Sequence, residues 1–128
     1  RASDIPVKMA QLKKMSADFV YLGSSSFLNE QSALFTSSAI ENALPVLSPY
    51  ESLVREADAL MSVSARYYQV GGLAGRMTEQ ILKEGKMPGD LPVARMTEFA
   101  YVVNMAVARK LSLFPSVEIL QFAETVNN

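Results

Sequence analysis

The 128 residues contain no cysteine, no histidine and no tryptophan. Without cysteine or histidine there is no disulfide, no thiol nucleophile, no His/Cys metal site and no Ser-His or Cys-His catalytic pair. An excess of one charge is lacking too. Twelve Lys+Arg against thirteen Asp+Glu leave a net charge of −1, so no bulk basic field is present to hold nucleic acid or an anionic membrane. Long hydrophobic runs are also missing. The longest, residues 100–108, is interrupted by Asn104 and falls far short of the ~20 residues a spanning helix needs. The opening Arg1-Ala2-Ser3-Asp4 has no apolar signal-peptide core and no initiating Met, which reads as a processed or cut chain. What is present is apolar. Hydrophobic residues make up 49%, which excludes intrinsic disorder, and the length suffices for one core.

Short β-type runs alternate with stretches of helical period. Met9, Leu12 and Met15 mark a helix over 7–15, with Pro6 in its first turn. Residues 19–22 read as a buried strand ending at Gly23. Leu28, Phe35, Ala39 and Ala43 share one face of a helix over 26–43. A minimal strand at 45–47, a short helix at 51–57 and a strand at 59–63 follow. The clearest helix spans 67–84, striped by Val70, Leu73, Ala74, Met77 and Ile81, with Gly85 as its stop. Its Gly71-Gly72-Leu73-Ala74-Gly75 run reads as a face for close helix packing. Residues 86–90 read as a loop, and 91–96 and 99–103 as extended. Asn104 caps a helix to Leu111, and Pro115 opens a last helix carrying Ile119, Leu120, Ala123 and Val126 on one side. Strands alternating with helices predict an α/β fold, a parallel sheet with helices on both faces.

In such sheets ligands bind beyond the carboxyl ends of the strands, which selects three loops. Gly23-Ser24-Ser25-Ser26 offers three hydroxyls and a helix start, suited either to a carboxylate or phosphate or simply to capping. It is not a phosphate-binding Walker loop, whose Gly-Lys-Ser/Thr ending is absent. Pro49-Tyr50-Glu51 sets an aromatic beside a carboxylate, Glu51 also serving a helix start. Ser64-Ala65-Arg66-Tyr67-Tyr68 adds a planar guanidinium and two stacking rings. Candidate ligand residues are therefore Ser24, Ser25, Tyr50, Arg66 and Tyr67. No acid–base pair of carboxylates assembles: Glu56 and Asp58 are two apart, and Glu79, Lys83 and Glu84 read as a solvated face. The seven methionines read as core filling. An enzyme is thus the lowest-ranked reading, and no cofactor or metal is expected.

Several motifs in order resemble one family. Ala17-Asp18-Phe19-Val20-Tyr21-Leu22-Gly23-Ser24 looks like the strand and loop of the second lobe of ABC-transporter substrate-binding proteins, in the uncharacterised or aromatic-amino-acid-binding branch. Tyr67-Tyr68-Gln69-Val70-Gly71 resembles its Tyr-Tyr-x-Leu-Gly. Ile81-Leu82-Lys83-Glu84-Gly85-Lys86-Met87-Pro88 resembles its Ile-Leu-Lys-Gly-x-x-Pro, and Asp90-Leu91-Pro92-Val93 its Asp-(Ile/Leu)-Pro-Val. Val103-Asn104 with Ala108-Arg109-Lys110-Leu111 looks like its closing helix, and Pro115-Ser116 and Ala123-Glu124-Thr125-Val126 also fit. Two positions depart. Ser64-Ala65-Arg66 stands where the family often has Gly-x-Asp, and Ser24-Ser25 where it has Thr-Asp, so a carboxylate suited to a ligand amine is replaced by a guanidinium.

The resemblance implies a type I periplasmic binding protein. Two Rossmann-like lobes, each a parallel sheet flanked by helices, close on a small molecule and deliver it to an ABC permease. Such proteins are exported, periplasmic or otherwise extracytoplasmic, often as lipoproteins, and are about double this length. Residues 1–128 are accordingly expected to be the C-terminal lobe plus crossover segments, with helix 67–84 packing on a first lobe outside this sequence. The Arg66 substitution makes an acidic or aromatic-acid ligand as plausible as an amino acid. The alternative function is a ligand-sensing regulatory or chemoreceptor domain of the same fold. If the Val70–Ile81 stripe lacks its cover, this chain is expected to form a homo-oligomer.

Overall fold

Pro6 fixes φ within the first turn of α1 (Asp4–Lys14), where its missing N–H costs nothing. Asp4 in the first turn and Lys13 and Lys14 in the last complement the helix dipole. Ile5 and Met9, one turn apart, are the buried face. The computed structural model describes residues 1–127, which fall into two units. Unit 1 joins Arg1–Ser64 to the chain from Tyr101 onward, and unit 2 is Ala65–Ala100.

Unit 1 carries the sheet. Its strands are β1 (Val20–Tyr21), β2 (Val46–Ser48), β3 (Met61–Ser64), β4 (Ala100–Asn104) and β5 (Ala123–Val126), lying side by side in chain order. The pairs β1–β2, β2–β3 and β4–β5 are parallel. Registers place Val20 beside Val46, Tyr21 beside Leu47, and Ser48 beside Ser62. Because side chains alternate along a strand, Val20, Leu22 and Val46 share one face. Against it pack Ile5 and Met9 of α1, Ala39 of α3 (Ser32–Glu41) and Leu53 and Val54 of α4 (Glu51–Glu56), forming the core. The opposite face carries Tyr21, Leu47, Met61 and Val63, of which Tyr21 is 61% exposed.

The helix expected over 26–43 breaks in two at Gln31 (φ −102°, ψ 17°), giving α2 (Ser26–Glu30) and α3. The buried Thr36 hydroxyl inside α3 donates to the Ser32 carbonyl at 3.0 Å, so it costs no unpaired group. α3 closes on Ala43 in the left-handed region (φ 51°), with the Leu44 N–H reaching back to the Ala39 carbonyl at 2.9 Å. α1 ends in the same way at Ser16, and α6 (Met105–Leu111) at Ser112. All three place a side chain where glycine is the usual residue.

Asn104 is fully buried and caps α6 as predicted. Its Oδ1 accepts from the Ala106 and Val107 N–H groups at 3.0 and 3.1 Å, and its Nδ2 donates to the Val54 carbonyl at 3.3 Å. After it the structure departs from periodicity. The helix opened by Pro115 is only α7 (Val117–Leu120), capped by Ser116, and Ala123–Val126 is the strand β5 paired with β4. The methionine expectation is also corrected: Met9 is buried in the core, whereas Met15 and Met87 are largely exposed.

Unit 2 consists of α5 (Tyr67–Leu82), a 3-10 turn at Pro88–Asp90 and an extended tail. Gly85, at φ 69°, terminates the helical segment as expected. Residues 91–96 form no strand. Lys83 and Glu79 pair at 2.8 Å on an exposed face. No residue of α5 is buried. Beyond the helix's own backbone and the flanking residues, nothing lies within 4 Å of a Cβ placed at Gly71 or Gly75, so no other described residue packs closely on those two glycines of the run.

Candidate functional site

Parallel β1, β2 and β3 present their carboxyl ends along one edge of the unit 1 sheet. Ser48, the last residue of β2, is buried there. Its Oγ donates to the Leu22 carbonyl at 3.3 Å and accepts the Tyr50 N–H at 3.1 Å. One hydroxyl thus joins the end of β1 to the turn that enters α4. Tyr50, half-buried against the core, immediately precedes α4 in an extended conformation. Ser25 caps α2, its Oγ accepting the Leu28 N–H at 3.4 Å, and Ser24 beside it is exposed. The capping alternative is therefore realised at Ser25.

Arg66 and Tyr67 belong to unit 2. Arg66 is extended (φ −70°, ψ 125°) ahead of α5, and Tyr67, the first helical residue, is 79% exposed. The structure gathers Ser24, Ser25 and Tyr50 on loops at the sheet edge of unit 1 and sets Arg66 and Tyr67 at the head of α5.

Three further serines at the edge lie outside the candidate set, although Ser64 belongs to a selected loop. Ser48 acts through a contact 26 residues away. Ser62, its neighbour in register, and Ser64, two residues on, are buried, and neither hydroxyl has a partner. The Ser62-Val63-Ser64 alternation in a strand was the available signal, since it puts both hydroxyls on one face.

Arg55 reaches Glu124 at 2.8 Å and Glu51 at 3.2 Å, tying α4 to β5. Hydrogen bonds to those carboxylates, Glu124 first, raise its pKa above the ordinary guanidinium value. A cavity of about 530 Å3 in unit 1 is lined by Leu34, Ser37, Arg55 and Asp58. Among the described residues no group of three or more Asp and Glu could hold a metal ion, and no helix is long and apolar enough to cross a membrane.

Residues 1–127 match the family model for ABC transporter substrate binding protein. The chain belongs to that family. A tyrosine-binding protein from Clostridioides difficile is 26% identical over 96 residues, covering 75% of this chain and 27% of the relative. Two solved structures share the fold. A ligand-free, open substrate-binding protein with adhesive properties from Clostridium difficile superposes with a TM-score of 0.82 at 20% identity, over 100% of this chain and 42% of that one. An ABC domain in complex with L-Trp from Streptococcus pneumonia gives 0.71 at 21% identity, over 98% and 42%. This substrate-binding-protein chain therefore spans about a quarter of the curated relative's length and under half of either solved chain. Its α/β sheet with flanking helices accords with a lobe of such proteins.

Proposed function

We propose that this chain is the C-terminal, Rossmann-like lobe with crossover segments of a two-lobed type I solute-binding protein. The protein holds a small molecule and passes it to an ABC permease outside the cytoplasmic membrane, with a lipid anchor retaining it there. It binds and releases without chemistry. The observation that carries the reading is the sheet edge of unit 1. Three parallel strands end together there, and the Ser48 hydroxyl fixes the loops after β1 and β2 to each other. A preset loop edge of this kind lowers the ordering cost of taking a ligand.

The ligand is an amino acid or an aromatic or acidic compound. The candidate residues in unit 1 are Ser24 and Ser25, whose hydroxyls suit an acidic group, and Tyr50, whose ring can stack; those in unit 2 are Arg66, whose guanidinium suits an acidic group, and Tyr67, whose ring can stack. The tyrosine-binding relative and the L-Trp complex support an amino-acid-sized ligand with a ring. Arg66 in place of the family's usual acid favours the acidic end of that range. A thermal-shift screen of amino acids and aromatic acids on the full-length protein, with Arg66→Ala beside the wild type, tests the assignment.

A further inference from the structure

Unit 2 contains a cavity of its own, of about 310 Å3, at the lower end of small-molecule sites. Its floor is one face of α5. Tyr68, Gly72 and Arg76 all line it, and their spacing of four stacks them along the helix. Gly72 leaves a notch between an aromatic ring on one side and a guanidinium on the other. Beyond the helix's own backbone and the flanking residues, a Cβ placed there would touch Arg76, whose guanidinium nitrogen lies 3.8 Å away. The facing wall brings Arg95 and Glu98 from the extended stretch. The Gln69 amide donates to the Glu98 carboxylate at 3.4 Å, so that carboxylate is partly engaged. Arg76 and Arg95 form no ion pair among the described residues.

We propose that this notch is a binding site for an aromatic monocarboxylate. The body of the ligand lies over Gly72 against the Tyr68 ring, where any side chain would exclude it. Its carboxylate meets the guanidinium groups of Arg76 and Arg95, which suit a planar, two-oxygen anion. Two guanidinium groups against one carboxylate leave a charge of +1, which a monoanion balances. Glu98 opposes the ligand's charge, so it limits affinity and disfavours dianions. The site lies wholly within unit 2.

Titrating phenylacetate into the 15N-labelled chain tests the site. Saturable amide shifts are expected at residues 68–76 and 95–98. Gly72→Leu, which favours the helix and fills the notch, should abolish them while the circular dichroism is retained. Arg95→Gln should weaken binding about tenfold, Glu98→Gln should tighten it, and Lys86→Gln, a cation outside the cavity, should leave it unchanged. No saturable shift at those residues up to about 10 mM, or wild-type binding by Gly72→Leu, would overturn the proposal. Shifts confined to 23–25 and 48–51 would overturn it too, while supporting the sheet-edge site instead.

Discussion

The Ser48 hydroxyl donates to the Leu22 carbonyl at 3.3 Å across the parallel β1–β2 pair. Because the same oxygen accepts the Tyr50 N–H, it couples two of the loops assigned to the ligand. Ser48→Ala leaves a buried carbonyl and an amide short of a partner. A loss of about 1–3 kcal/mol in urea-unfolding free energy is expected, with weaker ligand binding. Unchanged stability would show that the bridge carries no energy.

Ser62 behaves in the opposite sense. Its hydroxyl is buried with no partner, so the folded state loses the water that solvates it when unfolded. Ser62→Ala removes the unpaired group at little cost in volume and should stabilise the chain by about 1 kcal/mol in the same assay. Destabilisation would reveal a buried water bonded to that hydroxyl.

Ala43 sits at φ 51° where α3 closes. A Cβ in that region is strained by roughly 1–2 kcal/mol, and glycine is relieved of it. Ala43→Gly should raise stability by about 1 kcal/mol, net of the extra freedom glycine gains when unfolded. A lower melting temperature for the variant would contradict this reading of the helix end.

The stripe of Val70, Leu73, Ala74, Met77 and Ile81 lies on a helix with no buried residue. We expect this chain, taken alone, to self-associate through it. Sedimentation velocity should show a concentration-dependent shift that Met77→Asp removes. A monomer at every concentration would defeat the expectation.

Much of the order of elements was legible in the sequence, because amphipathic spacing and punctuation agreed. Gly85 stopped a helical segment and Asn104 began one where expected. Failures came where two periods fit the same residues. Ile119, Leu120, Ala123 and Val126 satisfy a helical spacing, yet Ala123–Val126 is a strand because β4 supplies a partner beside it. Residues 91–96 lack such a partner and form no strand. The candidate loops were legible from the alternation of strand and helix. The role of Ser48 was not, since a hydroxyl's partner 26 residues away leaves no local pattern, whereas Ser62 and Ser64 were signalled only by their alternation in a strand.

We propose that this chain takes part in binding a small acidic or aromatic ligand, with Arg66 pairing with its acidic group. The most direct test is calorimetric titration of the best hit of the thermal-shift screen into the full-length protein and its Arg66→Ala variant. Saturable binding, weakened about tenfold or more by Arg66→Ala, is the predicted result. Equal affinity in the two proteins, or no binding by any amino acid or aromatic acid, would contradict it.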